Sequence, residues 1–194
     1  MTNIRNICVY CGSSPGHDPR HEAAARALGA AIANAGIGLV FGGGSCGLMG
    51  VVARAALDAG GEVCGIIPDF LGKREIALEG LTELCVVADM HQRKQLMFEM
   101  SDAFAVLPGG FGTLDETFEI LTWRKLALHD KPVLLVDIAG FWRPLLTLID
   151  HVIGQGFAHP ADRDLYRVVS TIAQLLAALK QAPAPQLPDQ PDRL

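Results

Sequence analysis

The sequence predicts a doubly wound parallel α/β sheet in a single domain, and three observations carry that expectation. Short, nearly continuous apolar runs alternate with helical patterns along the chain, as parallel strands buried on both faces do with their crossover helices. Half of the 194 residues are hydrophobic and 19% are charged, a balance that suits a buried sheet. A chain of this length buries roughly 70% of its unfolded surface, enough for a core without disulfide or metal staples.

Strand-like segments fall at 5–11, 37–41, 62–67, 82–87, 102–107 and 132–137, each rich in Val, Ile, Leu, Cys and Ala. Asp18 followed by Pro19 opens the first helix as an N-cap with proline in the first helical position, and Gly36 closes it. A second helix runs from Gly47 to Ala59 and stops at Gly60-Gly61. Asp89 caps a third helix, Thr113 a fourth reaching about Leu126, and Ser170 a last one ending near Gln181. Residues 183–194 hold four prolines and no periodicity, which predicts a disordered tail beyond a domain of residues 1–182.

A net charge of −5 without a dense Lys/Arg run argues against nucleic-acid binding. A locally positive pocket for a small anion is compatible with that charge. No apolar run approaches the roughly 18 residues of a membrane span, and the opening stretch, Ile4 to Tyr10, lacks the features of a signal peptide. Five scattered cysteines fit reduced thiols and a cytoplasmic setting. Cys8 and Cys11 form a C-x-x-C, but no second Cys/His pair stands at zinc spacing, so no metal is expected.

Ligands of open α/β sheets bind beyond the carboxyl ends of the strands. Three predicted strand–helix turns carry suitable residues: Cys11-Gly12-Ser13-Ser14, Gly42 through Gly50, and Pro108-Gly109-Gly110-Phe111-Gly112-Thr113. Glycines there let backbone N–H groups close on an oxyanion, with a helix N-terminus adding positive dipole. Tight turns alone would also explain them, but three such loops on one sheet edge favour a nucleotide pocket. Gly42, Gly44 and Gly47 satisfy G-x-G-x-x-G, yet a dinucleotide fold places that motif after its first strand, and here it follows the second.

The helix opened by Asp89 has Met90, Met97, Phe98 and Met100 on one side. Arg93 and Lys94 fall among them at about 100° per residue. Either their stems pack while the charges reach water, or they meet an anion. Thr113 and Glu116 match the capping box T-x-x-E. That local reading comes first, although a carboxylate beside an anion loop also suits a ribose hydroxyl, a water or a developing cation.

The complete pattern P-G-G-x-G-T-x-x-E at 108–116, with Met90-His91-Gln92-Arg93-Lys94, Cys11-Gly12-Ser13-Ser14 and Gly42-Gly43-Gly44, resembles the Lonely Guy (LOG) family from about residue 5 to 180. These are cytokinin riboside 5′-monophosphate phosphoribohydrolases, sometimes labelled lysine decarboxylases. The resemblance implies a Rossmann-like fold, a homodimer, no cofactor, and hydrolysis of the N-glycosidic bond of a nucleoside 5′-monophosphate. It places Arg93 and Glu116 as the catalytic pair and Gly109, Gly110, Gly112 and Thr113 in the phosphate loop. Glu75, Lys94, Asp115 and Thr122 match further substrate contacts, and Gly12, Ser13, Gly43 and Gly44 stand in the other two loops. Position 111 is Phe where plant members often have Tyr, and 115 is Asp where they often have Glu; both bear on base preference. Two alternatives stay open: a nucleotide or cofactor carrier without turnover, and an NAD(P)-linked oxidoreductase.

Overall fold

The computed structural model describes residues 4–72 and 77–183. Seven parallel strands form one sheet in the order β4-β3-β2-β1-β5-β6-β7. They are β1 (Asn6–Tyr10), β2 (Gly38–Phe41), β3 (Val63–Pro68), β4 (Glu83–Val87), β5 (Ala103–Val106), β6 (Val133–Val136) and β7 (Arg167–Val169). The helices are α1 (Pro19–Asn34), α2 (Gly47–Asp58), the single turn α3 (Asp69–Gly72), α4 (Met90–Glu99), α5 (Phe111–Lys125), α6 (Arg143–Gly154) and α7 (Ile172–Gln181). The doubly wound expectation is borne out, and the first six predicted strands lie within two residues of their observed bounds.

Alternation along the strands splits the core in two. Ile7, Val9, Leu39, Phe41, Ala105 and Val136 meet α1, α2 and α7 on one face. Cys8, Tyr10, Val40, Phe104 and Leu135 meet Met97 and Phe98 of α4, Ile120 and Leu121 of α5, and Leu145 of α6 on the other. Cys8 and Cys11, three residues apart, therefore belong to opposite faces of the sheet. They cannot share a metal or a disulfide, which disposes of the C-x-x-C as a chemical motif.

Winding starts at β1, runs outward to β4, then returns to β5 beside β1. The β1/β5 boundary is the topological switch point, where loops diverge to opposite faces and leave a crevice. Two caps differ from expectation. Thr171, not Ser170, caps α7, its hydroxyl accepting the Gln174 N–H at 3.1 Å. The α5 helix begins at Phe111 with Gly110 as N-cap, so Thr113 lies inside its first turn, 3% exposed. The predicted capping box is not formed. Extended backbone at Gly110 ends the loop earlier, and the Thr113 side chain packs where a Cβ on Gly109 would otherwise stand. The predicted tail, apart from residue 183, lies outside the described residues.

Candidate active site

All three predicted loops converge at the switch point. Gly12 N–H donates to the Pro108 carbonyl at 3.0 Å, and the Gly12 carbonyl accepts from Leu48 N–H at 3.0 Å. One glycine thus ties the β1 loop to the β5 loop and to the start of α2. Gly47, with φ +56°, has its Cα against the Ser13–Ser14 backbone, where a side chain would collide. This is a position that only glycine fills without strain.

A cavity of about 230 Å3 opens between these loops. Its floor is Cys11, Gly12 and Ser13; its walls are Gly110 through Thr113 with Asp115 and Glu116 on one side, and Met49, Leu71, Met90 and Arg93 on the other. The α5 N-terminus has no side-chain cap, so first-turn N–H groups and the helix dipole are available to an anion. A second cavity of about 410 Å3 adjoins it through the shared Gly12, Ser13 and Gly110, and is walled by Pro15, His17, His21, Pro108, Gly109 and Phe141 among others.

Arg93 is 8% exposed, so its head does not snorkel to bulk water. Its Nε donates to the Ile66 carbonyl at 3.2 Å and its Nη2 to the Gly42 carbonyl at 3.1 Å. Both acceptors lie at the carboxyl ends of neighbouring strands, so the sheet itself aims the guanidinium. Nη1 lies 3.7 Å from the Met90 sulfur, at the cavity wall. Among the described residues no ion pair involves Arg93; a buried cation satisfied only by carbonyl dipoles retains its attraction for an anion.

Glu116 faces the same space, also 8% exposed. Burial pushes its carboxyl up to about 7, with Asp115 and Glu119 adding repulsion, against the pull of Arg93 and Lys94. A carboxyl poised near neutrality in a cleft, beside a buried arginine and an open helix end, is the pattern of a catalytic group.

The other expected residues divide. Gly12, Ser13, Gly110, Gly112, Thr113 and Asp115 line the cavity, and Gly109 lines its neighbour. Gly43, with φ +76°, and Gly44 instead brace the segment at Ala77–Leu78: Leu78 N–H donates to the Gly43 carbonyl, and Gly44 forms a bridge with Ala77. Lys94 is not among the residues that line the cavity; its Nζ is bonded to Asp115, which does line it, at 3.2 Å and to Glu119 at 3.0 Å. Thr122 lies on the far part of α5, where its hydroxyl donates to the Phe118 carbonyl at 2.7 Å, and it faces a separate groove. Glu75 lies outside the described residues. Met49, Leu71 and Met90 were not anticipated; side chains from three separated elements have no shared signal in the sequence.

Residues 49–179 match the family described as possible lysine decarboxylase. The chain is 48% identical over 177 residues to the cytokinin riboside 5′-monophosphate phosphoribohydrolase of Rhodococcoides fascians, covering 91% of this chain and 89% of that one. It is 45% identical over 180 residues to an Arabidopsis thaliana protein of the same name, covering 93% and 84%. The chain belongs to the Lonely Guy family. As for the fold, the molybdenum cofactor carrier protein of Chlamydomonas reinhardtii matches with TM-score 0.71 at 23% identity, over 91% of this chain and 96% of its own. The molybdenum cofactor binding protein of Rippkaea orientalis matches with TM-score 0.70 at 21% identity, over 93% and 98%. These two share the architecture. Among the described residues no lysine lines the cavity.

Proposed function

We propose that this protein hydrolyses the N-glycosidic bond of adenosine 5′-monophosphates, N6-modified or plain, releasing free base and ribose 5-phosphate. The observation that carries this is the buried Glu116 carboxyl, near neutrality, across one cavity from the carbonyl-held Arg93. Phosphate docks on the N-terminus of α5 between Gly110 and Thr113, where N–H groups have no protein cap. Met49, Leu71 and Met90 give the base an apolar wall.

As the C–N bond lengthens, positive charge builds on the sugar ring. An ionised Glu116 stabilises that charge or takes a proton from the attacking water. The water oxygen ends on the anomeric carbon, the base leaves with the bonding pair, and the proton released by the water, directly or through Glu116 and solvent, ends on the base nitrogen. Arg93, on the same wall as Met49 and Met90, orients the phosphate or the base of the nucleotide. Phosphate held away from the reacting carbon converts binding energy into positioning. Lys94 acts at one remove, by fixing Asp115 and Glu119 on α5.

A carrier of the same fold needs no carboxyl of this kind, because a buried acid near an anion site weakens binding. Supporting a homodimer, α5 presents Phe118 to solvent beside Leu148 of α6, over an apolar groove of about 210 Å3. No helix among the described residues is long and apolar enough to cross a membrane, which fits a cytoplasmic enzyme acting on small molecules.

The test is product formation. Incubation with AMP and, separately, isopentenyladenosine monophosphate should yield base and ribose 5-phosphate, and the ratio of kcat/KM values assigns the substrate. Tight nucleotide binding without either product would favour the carrier reading.

A further inference from the structure

Outside the nucleotide cavity, β3 and β4 bring together side chains that the hydrolytic reaction does not use. Cys64 pairs in register with Glu83, and Cys85 stands two residues further along the same strand, so all three point to one face. A ligand atom from each lies within 4.8 Å of those of the other two. The Cys85 Sγ is 3.5 Å from Glu83 Oε1, and the Cys64 Sγ is 4.0 Å from the Met100 sulfur at the end of α4. Cys64, Glu83 and Met100 also line a cavity of about 120 Å3, with Thr82 and Asn6 at its rim.

We propose that Cys64, Cys85 and Glu83 form a binding site for a thiophilic d10 metal ion such as zinc, with the Met100 thioether as neighbouring donor. The spacing decides between metal and disulfide. Two thiolates on a tetrahedral zinc, each at about 2.3 Å, lie roughly 3.8 Å apart, a spacing within the 4.8 Å that bounds the donor atoms here. A disulfide asks more of the backbone. Strands about 4.8 Å apart with a two-residue offset put the Cα atoms at roughly 8 Å, beyond the usual upper limit of about 6.8 Å. An ion bridges the sulfurs where they stand. The donor set, two thiols and one carboxylate with a thioether alongside, selects soft or borderline ions over magnesium or calcium. The C-terminal end of α4, whose cap is Met100, adds negative dipole that favours a cation.

Binding displaces the thiol protons, so metal uptake releases acid. It also links the edge strand β4 to β3 and to the end of α4, the helix that carries Arg93. The site is a clip on the scaffold outside the residues that line the nucleotide cavity, although Cys85 pairs in register with Ile66, whose carbonyl holds Arg93.

The experiment titrates the reduced, metal-free protein with cadmium as a spectroscopic probe and zinc as competitor. Ultraviolet thiolate-to-cadmium charge transfer should saturate at one ion per chain, be reversed by zinc, and raise the melting temperature as ligand linkage requires. Cys85→Ser and Cys64→Ser should each abolish the band, while Glu83→Gln should weaken binding about 10-fold or more. Cys46→Ser is the control, since that exposed thiol lies on another loop. Should Cys64→Ser fail to fold, Cys85→Ser at the sheet edge still decides. A band that survives Cys85→Ser, or that disappears in Cys46→Ser, overturns the proposal. So does a mass two hydrogens lighter under mild oxidation that maps to a Cys64–Cys85 bond.

Discussion

The Nη2 of Arg93 occupies the space where the Cβ of any residue larger than glycine at position 42 would stand. The two are 51 residues apart, yet the Gly42 carbonyl also accepts a hydrogen bond from that same nitrogen at 3.1 Å. Gly42 thus both vacates the space and supplies the acceptor, so the first glycine of the β2 loop serves the arginine rather than a phosphate.

Gly42→Ala should therefore act as a disguised mutation of Arg93. A methyl group there forces the guanidinium aside by an ångström or more, and misplacement on that scale costs about 100-fold in rate. Overpacking should cost about 1–3 kcal/mol of stability besides. Steady-state kinetics on AMP with a parallel melting curve checks both. Near-normal kcat/KM in a folded Gly42→Ala protein would mean that the arginine's position is not critical.

The second expectation separates catalyst from scaffold at Glu116. Gln keeps its shape but carries no charge, so Glu116→Gln should lose about 10²–10⁴ in kcat. Stability should move the other way, with a sign fixed by linkage. The folded-state value, about 7, stands above the ordinary 4.5, so ionisation is harder in the folded chain than in the unfolded one. The wild type then loses stability as pH rises from about 4.5 through 7, by up to roughly 3 kcal/mol. Glu116→Gln removes that loss. The variant should melt higher than wild type at pH 8 and show little difference at pH 4.5. A lower melting point at pH 8 would identify the carboxylate as structural.

The same titration sets the pH profile. If Glu116 works as an anion, kcat/KM should fall below about pH 7 as the free enzyme's carboxyl takes up a proton. The nucleotide phosphate also titrates, near pH 6, so the profile needs an internal control. Analogues with a methylene in place of the bridging 5′ oxygen keep both ionisations of the substrate but shift the second, and leave the enzyme's in place. A limb that follows the analogue belongs to the phosphate, and one that stays near 7 belongs to Glu116.

How far these residues could be read from the chain depends on what holds them. The central strands were legible because burial on both faces leaves uninterrupted apolar runs. The edge strand β7 is three residues long with Arg167 exposed, and it carries no such run; α6 was also missed. Arg93 could be placed inward from helical period alone. Its partners could not, since Ile66 and Gly42 offer backbone carbonyls that any residue has. At Thr113 a correct local rule lost to tertiary context. T-x-x-E signals a cap, but the helix starts at Phe111, and the same four residues carry a buried hydroxyl and a buried acid instead. Lys94 shows the converse: its inward face was right, while the carboxylates that hold it come from α5.

That arrangement makes Lys94 a positioning residue. Lys94→Met keeps the aliphatic stem and removes the ties to Asp115 and Glu119. It should alter kcat/KM by about 10-fold or less, whereas Arg93→Met should cost as much as Glu116→Gln. Removing the cation also leaves two acids beside Glu116 uncompensated, so the acid limb of the pH profile should move upward. An unmoved limb together with a large rise in KM would instead place the Lys94 ammonium on the substrate.

The last expectation concerns the face of α5 that points away from the nucleotide. Phe118 is 42% and Leu148 of α6 52% exposed, and between them runs the apolar groove that also holds Thr122 and Val152. Two helices that leave large side chains in water on adjoining faces present a surface suited to a second copy of themselves. A two-fold axis places the same patch on both subunits, so each substitution enters the interface twice. Burying one such side chain is worth about 1.5–3 kcal/mol; Phe118→Asp should therefore raise the dimer dissociation constant by at least about 100-fold. Light scattering of the wild type should give twice the 20.7 kDa chain mass, and Phe118→Asp or Leu148→Asp should shift it toward the monomer at micromolar concentration. The nucleotide cavity should survive in the variants as judged by AMP binding, because neither Phe118 nor Leu148 lines it. A wild type that is monomeric at that concentration would overturn the homodimer. A dimer indifferent to both substitutions would move its interface elsewhere, with the exposed Leu84 and Val86 of the edge strand β4 as the next surface to test.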